Sequence, residues 1–208
     1  NHPVRVFCSG RTDSGVHAIE QVIHFETETI RTDRAWLFGG NVNLPSDVNF
    51  KWVKMVSDDF HARFSAFARS YKYKIHHDPV RSSLKADYFL WEPRPLNIDD
   101  MKKAASSLVG EHDFSCFRGS LCQAKSPIKT IEYIEIESSR DELIINIKAN
   151  AFLHHMVRNI VGTLLKIGRG EKDVDWMTSV LDSKDRKKAG PTAEPQGLYF
   201  IKAFYKEI

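Results

Sequence analysis

The clearest periodic signal in the chain lies at residues 70–77, where Tyr71, Tyr73 and Ile75 alternate with Lys72, Lys74 and His76. A period of two predicts a strand with one face turned to a core. Residues 50–56 (FKWVKMV) alternate in the same way and predict a half-buried strand. Apolar runs at residues 4–8, 19–27 and 198–205 predict further strands. Residues 131–137 and 143–149 flank the polar turn SSRDE as an antiparallel hairpin. A period of 3.6 appears at residues 97–109, with Met101, Ala104, Ala105 and Leu108 on one side and Gly110 just past the end. Residues 151–167 predict a long apolar helix, residues 174–181 a shorter one, and residues 32–39 another, followed by the turn-rich NVNLPSD. Strands and helices mix without βαβ alternation, so the expected class is α+β with a mainly antiparallel sheet. The Asp58-Asp59 loop divides the chain into expected domains at 1–59 and 60–208.

Composition narrows the function classes. A chain of 208 residues with 42% hydrophobic and 11% aromatic content can bury an ordinary core. No apolar run approaches the roughly 18 residues of a membrane span. The start, NHPVRVFCSG, has neither the basic opening nor the apolar segment of a signal peptide. Three cysteines (Cys8, Cys116, Cys122) with no CxxC pair point to a reducing compartment, so a cytoplasmic location is expected. No metal site is expected, because His76-His77 and His154-His155 are adjacent pairs without the i, i+4 spacing that puts two imidazoles on one helical face.

Net charge is only +3, but residues 61–81 carry Arg63, Arg69, Lys72, Lys74 and Arg81 against Asp78 alone. Such a band suits a polyanion engaged by one face, or is simply a solvated strand. Phe64, Phe67, Tyr71 and Tyr73 lie within it, and aromatic rings among basic residues can stack on splayed bases while the cations hold phosphates. Tyr73 is assigned to the core and Tyr71, nearer the basic loop, to a site.

The helix LHHMVRNIVGTLLKIG is apolar nearly all round, yet it carries Arg158, with Gly162 and Lys166 at spacings of four. A helix of this kind is central, and an arginine on it needs a partner or a route to water. Either Arg158 reaches solvent or it faces an acid. Asp13, in CSGRTDSGVHA, is the candidate acid: Gly10 and Gly15 let the chain turn tightly around it. An ionised aspartate beside an arginine suits a nucleophile or general base, whereas a turn-capping Asp is the alternative. An aspartic-protease reading needs a second D-[ST]-G copy, or a dimer to supply one, and leaves the basic band unexplained.

GRTDSGVHA, RSYKY, NAFLHHMVRNIVG and AGPTAEPQGLYF occur in this order, with NVNLPSDV, ARFSA and FSCFRGSLCQAKSPIKTI between them. Together these segments resemble the tRNA pseudouridine synthase A (TruA) family over essentially the whole chain. Ser14 stands where that family usually has alanine. The family's first strand and helix have no counterpart here, so the chain reads as N-terminally truncated. The resemblance implies two ferredoxin/RRM-like halves sharing an extended sheet, with an active-site cleft between them. It implies isomerisation of uridine to pseudouridine at positions 38, 39 and 40 of the tRNA anticodon stem-loop, by a homodimer without cofactor or metal. Asp13 matches the family's catalytic aspartate, Arg158 its arginine partner, Tyr71 the tyrosine against the target base, and Arg11 the residue that helps displace the nucleotide. Leu198 matches an apolar wall. Arg11, Arg63, Arg69, Lys72, Arg118 and Asn159 are the expected RNA-binding residues.

Overall fold

In the computed structural model, residues 3–206 are described. The alternating segment becomes the long strand β4 (Ala68–His77), with Tyr73 and Ile75 fully buried. To define the rest in chain order, β1 is Phe7–Cys8, β2 His17–Ala18, β3 Ile23–His24, β5 Leu90–Glu92, β6 Gly110–Asp113, β7 Ile128–Ser138, β8 Glu142–Ala149 and β9 Leu198–Phe204. The helices are α1 (Asp33–Asn43), α2 (Ile98–Ser106), α3 (Met156–Gly168) and α4 (Trp176–Ser183).

β4 is the spine of a seven-stranded mixed sheet of order β2-β9-β4-β8-β7-β6. On one side it pairs antiparallel with β8 from Arg69↔Ala149 to His76↔Glu142. On the other it pairs antiparallel with β9 over its first half and parallel with β5 over its last three residues. The predicted hairpin is β7–β8. Tyr73, Ile75, Ile145 and Ile147 face Met101, Leu108, Ile160 and Leu164 of the helical layer in one core. Residues of the other parity point away, and there Lys74 Nζ lies 4.2 Å from the Tyr199 ring centroid and Lys148 Nζ 4.4 Å from that of Phe204. The class is therefore α+β, with a mixed sheet in which most pairings are antiparallel.

The first part of the chain departs from expectation. Residues 50–56 form no strand, and none of the described strands pairs with them. The strands expected at residues 4–8 and 19–27 shrink to the two-residue pair β1–β3. Helix α1 starts where predicted, with Thr32 Oγ1 accepting from the Ala35 amide, but runs through Gly39 and Gly40 to Asn43. Phe50 packs so tightly on Gly40 that a Cβ there would lie 2.5 Å from its ring, and Asn41 bonds both the amide and the carbonyl of Phe50. The long helix also starts later than predicted. Residues 151–155 form an irregular entry ending in His155, whose φ of 62° is left-handed.

Between α3 and β9, residues 189–197 form a strap pressed onto the helix. A Cβ at Gly162 would lie 1.7 Å from the Pro191 carbonyl oxygen, so only glycine admits this backbone contact. Thr163 Oγ1 accepts from the Gly190 amide, and the Ala193 amide donates to the Arg158 carbonyl.

Candidate active site

Residues 9–18 leave β1 as a loop fastened at both ends. The Gln21 side-chain amide donates to the Gly10 carbonyl at 2.6 Å, and the Ser9 backbone amide donates to the Val22 carbonyl at 2.8 Å. At the far end, β2 joins the large sheet by parallel pairing of His17 with Tyr199 and Ala18 with Phe200. The Val16 amide closes a turn onto the Asp13 carbonyl at 3.0 Å, and Gly15 takes a φ of 80° that a side chain would resist. The carboxylate of Asp13 is thereby held against the N-terminal turn of α3, where the helix dipole favours negative charge.

Three nitrogens approach that carboxylate, one of them as a hydrogen-bond donor. Arg158 Nη1 donates to Oδ2 at 3.0 Å, His155 Nε2 lies 3.1 Å from Oδ2, and His154 Nε2 lies 3.3 Å from Oδ1. Of the two readings open for Arg158, the structure takes the acid partner. Its Nε also donates to the Ala193 carbonyl of the strap at 2.7 Å, which fixes the guanidinium from behind. The two imidazoles stack with centroids 3.8 Å apart. Burial, followed by the neighbouring His154, holds the His155 pKa below its ordinary value despite the opposing pull of Asp13. His154 Nδ1 is buried with no hydrogen-bond partner among the described residues, which assigns the ring proton to Nε2, facing the carboxylate.

Neither histidine was singled out from the sequence for this role. The spacing argument against metal assumed helical neighbours, and the left-handed His155 removes that ground by turning both rings to one side. Ligand atoms of Asp13, His154 and His155 do lie within 4.8 Å of one another, and a carboxylate with two imidazoles is a donor set for zinc-like ions. What weighs against a cation is Arg158, whose fixed positive charge already occupies Oδ2.

The site opens into a cleft of 1260 Å³ whose lining includes Asp13, Arg158, Tyr71, Arg11, Leu198, Arg63 and Arg69. Arg5 and Lys129 add to its positive charge, and Asp13 is the sole carboxylate among the described lining residues. Tyr71 forms one wall, edge-on to Phe152 and Phe200 at 4.9 and 5.3 Å, and burial pushes its phenol pKa up to about 12. Tyr73 sits deeper, as expected, donating to the Glu194 carbonyl.

Three residues expected to grip RNA are not brought to this cleft. Asn159 is fully buried: its amide donates to the Phe117 carbonyl, and its oxygen accepts from Arg186 and Thr192. It fastens the strap to α3, so its assignment to RNA is corrected. Arg118 spends Nη2 on the carbonyls of Cys122 and Ala124, shaping a loop that lines the cleft without lining it itself. Lys72 has the opposite parity to Tyr71 and is absent from the lining. Arg69 does line the cleft, but its guanidinium also donates to the carbonyls of Arg63, Ala66 and Asn150.

The family model described as tRNA pseudouridine synthase matches residues 104–206. Over 207 residues, all of this chain, it is 49% identical to tRNA pseudouridine synthase A of Hydrogenovibrio crunogenus, 79% of which is covered. Identity is 47% to the protein of that name from Actinobacillus succinogenes, with 78% covered. It is 50% to the one from Shewanella sediminis, with 79% covered.

Proposed function

For a chain that belongs to the tRNA pseudouridine synthase A family, and so to isomerases acting on uridine in tRNA, we propose that Asp13 is the nucleophile and that the substrate uridines are positions 38, 39 and 40 of the anticodon stem-loop. The observation that carries this reading is the placing of one carboxylate, paired to Arg158, in a cleft whose other fixed charges are all cationic. A polyanion is drawn to such a cleft, and the only anionic side chain it meets there is Asp13.

The chemistry asks little else of the protein. The bond from N1 to the ribose C1′ breaks, the uracil turns, a bond forms from C5 to C1′, and the C5 proton leaves as N1 gains one. An ionised aspartate can begin this by attacking C6 or C1′, or by removing the 2′ proton. The target base must first leave its stack, at a cost of a few kcal/mol. Arg11, exposed at the loop tip, takes the place of the departing nucleotide. Tyr71 packs against the base and Leu198 closes the apolar side. Arg63 and Arg69 face the phosphates. The same reading takes residues 1–59 and 60–208 as two ferredoxin-like units flanking the cleft, two copies acting on tRNA as a homodimer, and the cytoplasm as the location. Among the described residues no helix is long and apolar enough to cross a membrane.

Tritium release from tRNA carrying 5-³H-uridine tests the assignment. The wild-type chain should release tritium, whereas Asp13→Asn should bind the same tRNA and release none above background. Binding without release by the wild type would leave an RNA-binding protein, and release by Asp13→Asn would remove Asp13 from the chemistry.

A further inference from the structure

We infer that His154 and His155 are positioning residues whose Nε2 edges flank and orient Asp13, leaving Oδ1 as the oxygen that reacts. This rests on Asp13 being the nucleophile and goes beyond it by saying how that carboxylate is aimed.

The two oxygens are not held alike. Oδ2 faces both Arg158 Nη1 and His155 Nε2, at 3.0 and 3.1 Å. Oδ1 has His154 Nε2 alone, at 3.3 Å. The oxygen with the single, longer contact is the one that can turn to a substrate atom, while its neighbour stays anchored.

The local backbone is built for this clamp. Consecutive side chains point to one side because His155 is left-handed at φ 62°, a conformation non-glycine residues avoid unless the surroundings impose it. The surroundings here are the irregular entry from Leu153, the start of α3 and, beneath the rings, Gly119. The Gly119 amide donates to the His154 carbonyl at 2.8 Å, and a Cβ there would lie 2.8 Å from His154 Nδ1 and 3.3 Å from His155 Nδ1. Glycine is therefore the floor on which both imidazoles rest. The face-to-face packing of the rings disfavours two charged imidazoliums, and neutral rings suffice to turn an Nε2–H edge toward the carboxylate.

The test measures single-turnover tritium release and tRNA affinity for wild type, the Ala, Gln and Asn variants of His154 and His155, Gly119→Ala and Asp13→Asn. Glutamine can offer an amide N–H near the place of Nε2, whereas asparagine ends near Nδ1. Both Ala variants should lower the rate about 100-fold, as for a misplaced reacting group, with tRNA affinity unchanged. Gln should recover most of the rate and Asn should not. Gly119→Ala should mimic the Ala variants, although it removes no polar group. Wild-type rates in the Ala variants, beside an inactive Asp13→Asn, would overturn the clamp alone. Equal rates for Gln and Asn would reduce the histidines to packing. Loss of activity on EDTA treatment with recovery on adding zinc would replace the clamp by a metal centre. An active Asp13→Asn would instead remove the reading on which the clamp depends.

Discussion

Residues 50–56 and 70–77 carry the same alternating pattern, and only the second is a strand. Residues 70–77 lie between β8 on one side and β9 and then β5 on the other, which pair with their backbone, with a helical layer to receive every other side chain. Residues 50–56 have no such neighbour among the described residues, and Met55 is 89% exposed. The contrast extends to the regions around them. Within residues 3–59 only Ser9 and Val22 are buried, and α1 has no buried residue, whereas α3 buries eleven of its thirteen. Alternation thus states what a segment could bury. Whether it does so depends on an edge and a layer supplied from elsewhere in the chain.

Three substitutions measure that difference. The largest effect belongs to Glu92, which is 1% exposed at the end of β5 and paired to Arg169 and Arg94. Burial alone would raise its pKa, but hydrogen bonds from Arg169 and Arg94 hold it below the ordinary carboxylate value. Glu92→Gln should cost about 3–5 kcal/mol at neutral pH, the usual penalty for breaking a buried pair. Because the folded pKa is depressed, the stabilisation is full above about pH 4.3 and is lost as pH falls through the folded value. Urea midpoints of the two proteins should therefore converge in acid, and a gap that does not change with pH would remove the ion pair as its source. Next comes Gly162→Ala, where the added methyl meets the Pro191 carbonyl. A loss of about 3 kcal/mol is expected from overpacking, together with reduced turnover, since the same strap holds Arg158 through Ala193. An unchanged melting temperature would mean the strap lifts freely. The smallest effect should come from Met55→Ser, within about 0.5 kcal/mol. A melting shift comparable to that of Gly162→Ala would show that Met55 is packed after all.

Much of the body was legible because its elements are long. β4, β7, β8, β9, α2 and α4 each run far enough for a period to emerge, and α2 buries Met101, Ala104 and Ala105 as its spacing requires. β2, β5 and β6 have two to four residues, too few for any period. At the site, the pairing of Arg158 was foreseeable from charge on an apolar helix, since burial forces a partner. The histidines were not, because their convergence depends on one φ angle at His155 that residue spacing does not encode. Asn159 was misjudged for a related reason. A polar side chain suits RNA, but it suits a nearby backbone carbonyl equally well, and only the fold decides.

The parallel pairing of β2 with β9 has a consequence for biosynthesis. It joins residues 17–18 to residues 199–200, and Asp13 meets Arg158 across 145 positions. Contacts so distant in sequence form only after the intervening chain has been brought together, and they slow folding accordingly. On the ribosome, Asp13 emerges early and waits for α3, the strap and β9 before it has any of its partners. Competence for chemistry is thus among the last properties the nascent protein acquires.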